Sequence, residues 1–136
     1  MKTLKNFLIF FCLIFNQNLE SVEMIDRWKL ISETPVLNNS SWYLDPESIK
    51  RKNGFLYVWV LTNYQIKLDG GYYSTIAYWM VDCDLMRNKY LDLTAYKKMF
   101  GNGEPTVIRD ENMDIWQYSP PDSNGYFIKE FACASF

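Results

Sequence analysis

Three cysteines and sixteen carboxylates are the groups in this chain that could do chemistry, and there is no histidine. Without an imidazole, Ser-His-Asp and Cys-His catalysis fall away, and so does the commonest zinc ligand. Asp82 and Asp84 flank Cys83 and could act as a carboxylate pair of the kind that cleaves glycosides. They read instead as a polar strand end turned to water. Asp110, Glu111 and Asp114 supply oxygen ligands suited to calcium. They lack the alternation and the glycine of a calcium loop, and read as a solvated loop. Gly101-Asn102-Gly103 is glycine-rich, but no lysine or phosphate motif follows, so its use is a tight turn. Asn39-Ser40-Ser41 accepts a glycan only in a eukaryotic secretory route. The residues point to a non-enzyme with no cofactor and no metal.

The cysteines carry a different message. Met1-Lys2-Thr3-Leu4-Lys5 precedes an apolar run from Phe7 to Phe15, the pattern of a secretory signal peptide. The run is too short to span a bilayer, which takes about 20 residues. The best small residue for cleavage is Ser21, giving a leader over 1–21 and a mature domain over 22–136. Cys12 falls inside the leader, and the bulky Ile9-Phe10-Phe11 before it departs from a lipoprotein pattern. Cys83 and Cys133 remain. An even pair in an exported chain reads as a structural disulfide, closing a ring of 50 positions.

Cleavage removes Lys2, Lys5 and Glu20 and leaves 12 basic against 15 acidic side chains. A mildly acidic domain does not suit phosphate backbones, so no nucleic-acid partner is expected. No transmembrane segment is expected once the leader is gone. The mature length suits one domain with one core. Aromatic residues make up 18% of the chain, which fits a β-rich core and also a binding face, because Tyr and Trp are enriched at interfaces.

These residues need strands to position them. A first strand is expected within 25–31, around Trp28. Residues 35–41 read as a loop, and Asp45-Pro46 as a turn. Asn53-Gly54 is a two-residue hairpin signal, because both central positions must accept positive φ. It joins a strand over 48–52 to the clearest strand of the chain, 55–64, apolar and aromatic on both faces. In 73–83, Thr75, Ala77, Trp79, Val81 and Cys83 share the core face, while Ile76, Tyr78, Met80 and Asp82 share the other. Arg87-Asn88 marks a turn. Residues 90–96 place Leu91, Leu93 and Ala95 on one side, and 115–118 form a last strand. Asp122 or Ser123 caps a helix running to about Cys133, with Phe127, Ile128 and Phe131 as its apolar stripe. The fold class is α+β: a single antiparallel sheet of five or six strands, one face covered by the C-terminal helix and tied to it by the disulfide.

The pieces Tyr43-Leu44-Asp45-Pro46-Glu47-Ser48-Ile49, Val58-Trp59-Val60-Leu61-Thr62-Asn63-Tyr64, Ser74 leading into Asp82-Cys83, Gly101-Asn102-Gly103-Glu104, Trp116 with Pro120-Pro121 and Ser123, and Cys133 follow in order. In this the chain resembles the bacterial surface-adhesin protein E-like domain, from about Trp28 to Cys133. The resemblance implies an antiparallel sheet whose C-terminal helix is held on one side by a disulfide, and it implies adhesion.

Two functions compete. One is an exported binding domain, in the periplasm, on the outer surface or outside the cell, that presents Tyr57, Trp59, Tyr72 and Tyr73 to a protein partner such as a host extracellular protein. The alternative is a periplasmic small-ligand carrier or inhibitor that uses the groove between helix and sheet. A closed apolar pocket of a few hundred Å³ favours the carrier, and an exposed aromatic patch favours the binder.

Overall fold

The structure is a computed structural model that describes residues 26–34 and 39–135. The expected leader, with Cys12, lies outside the described residues. Among the described residues, eight strands form one antiparallel sheet. They are β1 (Lys29–Thr34), β2 (Ser40–Leu44), β3 (Lys50–Lys52), β4 (Phe55–Leu68), β5 (Tyr72–Asp82), β6 (Arg87–Tyr96), β7 (Pro105–Val107) and β8 (Gln117–Tyr118). The C-terminal helix of the described residues is α1 (Asn124–Ala134). The order across the sheet is β1-β2-β4-β5-β6-β7, with β3 beside β4 and β8 beside β6.

The long centre follows from composition. β4 and β5 are dense in β-branched and aromatic residues, which fit a pleated, buried surface. Asn53 and Gly54 both take positive φ, 54° and 82°, and turn the chain from β3 into β4. Leu56, Val58 and Val60 on β4 face Val81, Trp79 and Ala77 on β5. Together with Leu44 and Ile49 they form the core on the helix side. The face assigned to β5 from its alternation is therefore the one that α1 covers.

Six strands lie on the main path, and the count rises to eight through β3 and β8, which flank β4 and β6 as short pieces. Residues 40–41, read as loop, belong to β2. Arg87 and Asn88, read as a turn, open β6; the turn lies just before them, at 83–86, with Met86 at φ 50°. Arg87 is drawn into the ladder opposite Asp82, its ion-pair partner. Leu91 does not share a side with Leu93, because a bulge between β5 and β6 shifts the register after Tyr90. Leu91 is exposed, and Tyr90 turns inward against Trp79, with ring centroids 5.5 Å apart.

Ser123 caps α1 by accepting a hydrogen bond from the Tyr126 amide, while Asp122 sits at φ 64° and cannot. The apolar stripe is rotated from the one expected. Ile128, Lys129 and Ala132 are fully buried. Phe131 is half-buried, under the Lys29 ammonium at 4.7 Å. Phe127 lies outside the core and packs edge-on to Tyr126. A β-carbon on Gly125 would meet Ser119 Oγ at 2.7 Å and lie 3.9 Å from the Trp79 ring, so the first turn of the helix sits close on both. Cys83 and Cys133 are bonded, with an S–S distance of 2.14 Å, and the bond pins α1 to the end of β5.

Candidate binding face

Among the described residues, no second layer covers most of the sheet face away from α1. One end is covered by the loop after β6. There Phe100 packs edge-on to Tyr43 at 5.4 Å, its amide donates to Asn63 Oδ1 at 2.8 Å, and the Gly101 amide donates to Ser74 Oγ at 3.0 Å. Gly101 takes φ 69°, a conformation that favours glycine, and a β-carbon there would also press on the Ile76 Cδ1 at 2.5 Å. The Gly101-Asn102-Gly103 turn thus serves as a lid anchor on the outer face.

Beyond that loop the rings are half-exposed. Trp59 stacks on Tyr78 with centroids 4.6 Å apart, and Tyr57 lies 6.0 Å from Tyr78 on its other side. Trp59 and Tyr78 are direct cross-strand partners, the pairing through which sheets bring rings together. Further along, Phe55 packs on Trp116 at 5.7 Å, and Trp116 also carries the Arg87 guanidinium at 4.3 Å and the Lys89 ammonium at 4.8 Å. Burial pushes the Tyr78 hydroxyl above the ordinary phenol range, and neighbouring Tyr57 adds to the shift. The hydroxyl therefore stays protonated across physiological pH.

The register of β3 adds cations. Lys50 stands opposite Tyr57, and Lys52 opposite Phe55. A groove of about 410 Å³ is lined by Lys50, Arg51, Lys52, Tyr57 and Tyr78.

The Asp45–Ile49 segment holds this face in place. It carries the chain from β2 to β3 along one side of β4. Asp45 Oδ1 accepts from the Glu47 amide at 3.1 Å, and Oδ2 accepts from Arg27 at 2.5 Å. Ser48 donates to the Asp45 carbonyl at 2.7 Å and accepts from the Trp59 amide at 3.0 Å. The Asp45 amide in turn donates to the Trp59 carbonyl at 3.1 Å. The backbone of Trp59 is thus bracketed by the Asp-Pro-Glu-Ser turn. Replacing Ser48→Ala leaves the Trp59 amide unpartnered and lowers unfolding stability by about 1–3 kcal/mol, to be read from the urea midpoint.

Of the four rings chosen from sequence, the structure brings Tyr57 and Trp59 together and sets the other two apart. Tyr72 and Tyr73 stand at the far, hairpin end of β5. There the Lys97 ammonium lies over the Tyr72 ring at 4.2 Å. Sequence reasoning missed Tyr78, Lys50, Lys52 and Trp116 as members of the site. The alternation had already placed Tyr78 on the outer face; the missing knowledge was which β4 residue lies across from it.

The carboxylates are occupied structurally. Asp82 is paired with Arg87 at 2.9 Å and accepts from the Asp84 and Leu85 amides, while Asp84 is exposed. Burial raises the Asp82 pKa, but the Arg87 hydrogen bond and the two amides outweigh it and hold the carboxyl below its usual range. Asp110 accepts from the Asn112 amide at 2.9 Å, closing a turn, and Asp114 reaches Lys89 at 3.4 Å. Among the described residues no three potential metal ligands converge. On the helix side of the sheet, beside Trp79, lies a half-open apolar pocket of about 200 Å³ walled by residues that include Trp42, Tyr64, Trp79 and Tyr90.

The described residues thus form a single antiparallel sheet, closed on one face by a disulfide-held helix and bearing half-exposed rings on the other. The chain belongs to the surface-adhesin protein E family, whose sequence profile matches residues 28–134. It is similar in structure to Haemophilus influenzae protein E. Crystal form II is 18% identical, with 79% of this chain and 88% of that chain covered and a TM-score of 0.62. The selenomethionine form is 17% identical, with 81% and 88% covered and a TM-score of 0.61. At this identity the likeness establishes the fold. No curated protein sequence matches the chain significantly. No helix among the described residues is long and apolar enough to cross a membrane.

Proposed function

We propose that this chain is an exported, surface adhesin-like domain that engages a protein partner through the outer face of its sheet. The observation that carries this reading is the Tyr57–Tyr78–Trp59 row, half-exposed on the central hairpin with cations at its rim. Tyrosine, tryptophan and arginine dominate hot spots because they bring large area at low entropic cost. Family membership supports adhesion as the role, and the protein would work at the cell surface or beyond it. No step of bond chemistry is asked of it. The helix-side pocket is smaller than the ~300–1,000 Å³ of a typical small-molecule site and is not closed, so the carrier reading is the weaker one. Tyr72 and Tyr73 form a separate, smaller candidate at the hairpin end.

The test is binding of the purified mature chain to immobilised host extracellular proteins. The double variant Tyr57→Ala/Trp59→Ala is expected to lose at least about tenfold in affinity while keeping its melting transition. An unchanged affinity would reject the outer row, and a loss confined to Tyr72→Ala would move the interface to the hairpin end.

A further inference from the structure

The loop after β6 covers one end of the outer face, and what it hides continues the exposed row. Tyr43, Leu61 and Ile76 stand opposite one another across β2, β4 and β5. They lie two residues along from the Trp59–Tyr78 pair, a step of about 7 Å on the pleat. Phe100 rests on Tyr43 and Gly101 against Ile76, with the fully buried Leu61 between them. Polar groups tie the loop down. Asn63 and Ser74 are cross-strand partners, 5% and 0% exposed. Asn63 Oδ1 accepts from the Phe100 amide, while Ser74 Oγ accepts from the Gly101 amide and donates to the Lys98 carbonyl at 2.5 Å. Phe100 itself takes φ 58° and ψ 32°. A bulky side chain in the left-handed region is an outlier, kept there only while its surroundings fix it. The loop has a turn of its own, with the Lys98 amide on the Asn102 carbonyl at 3.0 Å and the Asn102 amide on the Met99 carbonyl at 3.2 Å. It leaves the β6–β7 hairpin where the Lys97 amide meets the Glu104 carbonyl at 3.3 Å. Residues 98–103 can therefore lift as a unit, exchanging the bonds to Asn63 and Ser74 for bonds to water.

From this arrangement we infer that the 97–104 loop is an autoinhibitory latch, and that the Tyr43–Leu61–Ile76 row beneath it docks a large apolar side chain of the protein partner. The inference rests on the outer-face reading above and extends it. Phe100 displays the chemistry of the occupant: a ring on Tyr43, beside backbone N–H groups that meet Asn63 Oδ1 and Ser74 Oγ. A partner segment with a ring and two amides reproduces these contacts without a left-handed phenylalanine, and its preference for the open state displaces the loop. The partner then spans the exposed row and the uncovered one together. The competing account is a static plug, in which the loop only buries Leu61.

Hydrogen exchange of the purified chain reads the latch directly. The Phe100 and Gly101 amides are expected to exchange through a local opening that low urea leaves unchanged, while the amides of β4 and β5 follow global unfolding. Two variants open the latch by different routes. Asn63→Ala/Ser74→Ala removes the anchors, and Gly101→Ala keeps them but cannot take φ 69° without strain. Both are expected to melt cooperatively and to raise the fluorescence of anilinonaphthalene sulfonate, a dye that reports exposed apolar surface. Both are expected to bind the immobilised host extracellular proteins at least about threefold more tightly than the wild type, because apparent affinity scales with the competent population. Exchange of the two amides only with global unfolding, unchanged dye fluorescence, or unchanged affinity in the open variants overturns the inference. Affinity that falls in Tyr57→Ala/Trp59→Ala and does not rise in the open variants keeps the exposed row and rejects the latch. A rise in the open variants with no fall in Tyr57→Ala/Trp59→Ala keeps the latch and rejects the exposed row. Change in neither rejects both.

Discussion

Deleting residues 123–136 leaves a chain that is unfolded or aggregated at room temperature. The deletion removes Ile128 and Ala132, both fully buried in the core. It also uncovers Trp79, Val58 and Val60, which pack in the same cluster. Burying one large apolar side chain contributes ~1.5–3 kcal/mol. The Cys83–Cys133 bond goes with the helix, and its ring of 50 residues contributes about 4 kcal/mol on the chain-entropy account. Those losses together reach the ~5–15 kcal/mol that stabilises a typical domain. The Cys83→Ser/Cys133→Ser variant separates the two contributions, because it keeps the helix and loses only the cross-link. It should still melt cooperatively, with stability lower by about 4 kcal/mol. Circular dichroism and urea melts decide the outcome, and a truncated chain with a cooperative transition would show that α1 is dispensable to the core.

Replacing Lys129→Met stabilises the protein at neutral pH and abolishes a pH dependence on the alkaline side. Lys129 is fully buried on the inner side of α1, and the acceptor for its ammonium is Asn88 Oδ1 at 3.1 Å. Burial pushes its pKa down from 10.5 to about 8. Below about pH 8 both the folded and unfolded chains carry the proton, and the folded state bears the whole penalty of a buried charge. Between about 8 and 10.5 the unfolded chain holds more protons than the folded one, so stability rises with pH. The shift corresponds to a penalty of about 3 kcal/mol at neutral pH. Methionine removes it but orphans the Asn88 carbonyl, which returns about 1–3 kcal/mol. The net gain is about 1 kcal/mol at pH 7 and vanishes by pH 10. Above pH 10 the trend reverses in both proteins, because Tyr90, raised to about 12 by burial and by Tyr64, stays protonated when folded and ionises when unfolded. Denaturant melts from pH 7 to pH 10 read the difference. A wild-type stability flat over that range would reject the buried ammonium.

Much of this architecture was legible in the chain. The alternation of 73–83 separated the two faces of β5, and the one that holds Cys83 with Ala77, Trp79 and Val81 is the one α1 covers. Asn53-Gly54 gave the hairpin, because few residues accept its backbone angles. The parity of Cys83 and Cys133 in an exported chain gave the bond. What stayed hidden depends on partners distant in sequence. Two-residue and three-residue strands such as β8 and β3 carry no period of their own, and they become strands only because β6 and β4 offer them an edge. The side that α1 buries is fixed by its packing on the sheet, and it includes Lys129, a residue that no apolar pattern would select. The site divides in the same way. Tyr57 and Trp59 could be named from one strand, whereas Tyr78, Lys50 and Lys52 join them only through the pairing of β4 with β5 and β3.

The Cys83–Cys133 bond also determines how the domain bears tension. A pull between residues 26 and 135 enters the C-terminal end at Cys133 and crosses directly to Cys83, at the end of β5. Residues 84–132, with β6, β7, β8 and most of α1, hang on this covalent bridge as a slack loop that carries no load. The force therefore runs through the strands that bear Tyr57, Trp59 and Tyr78. Extension is limited as well, because the bridged segment withholds some 50 residues, a tether of roughly 170 Å, until the bond is reduced.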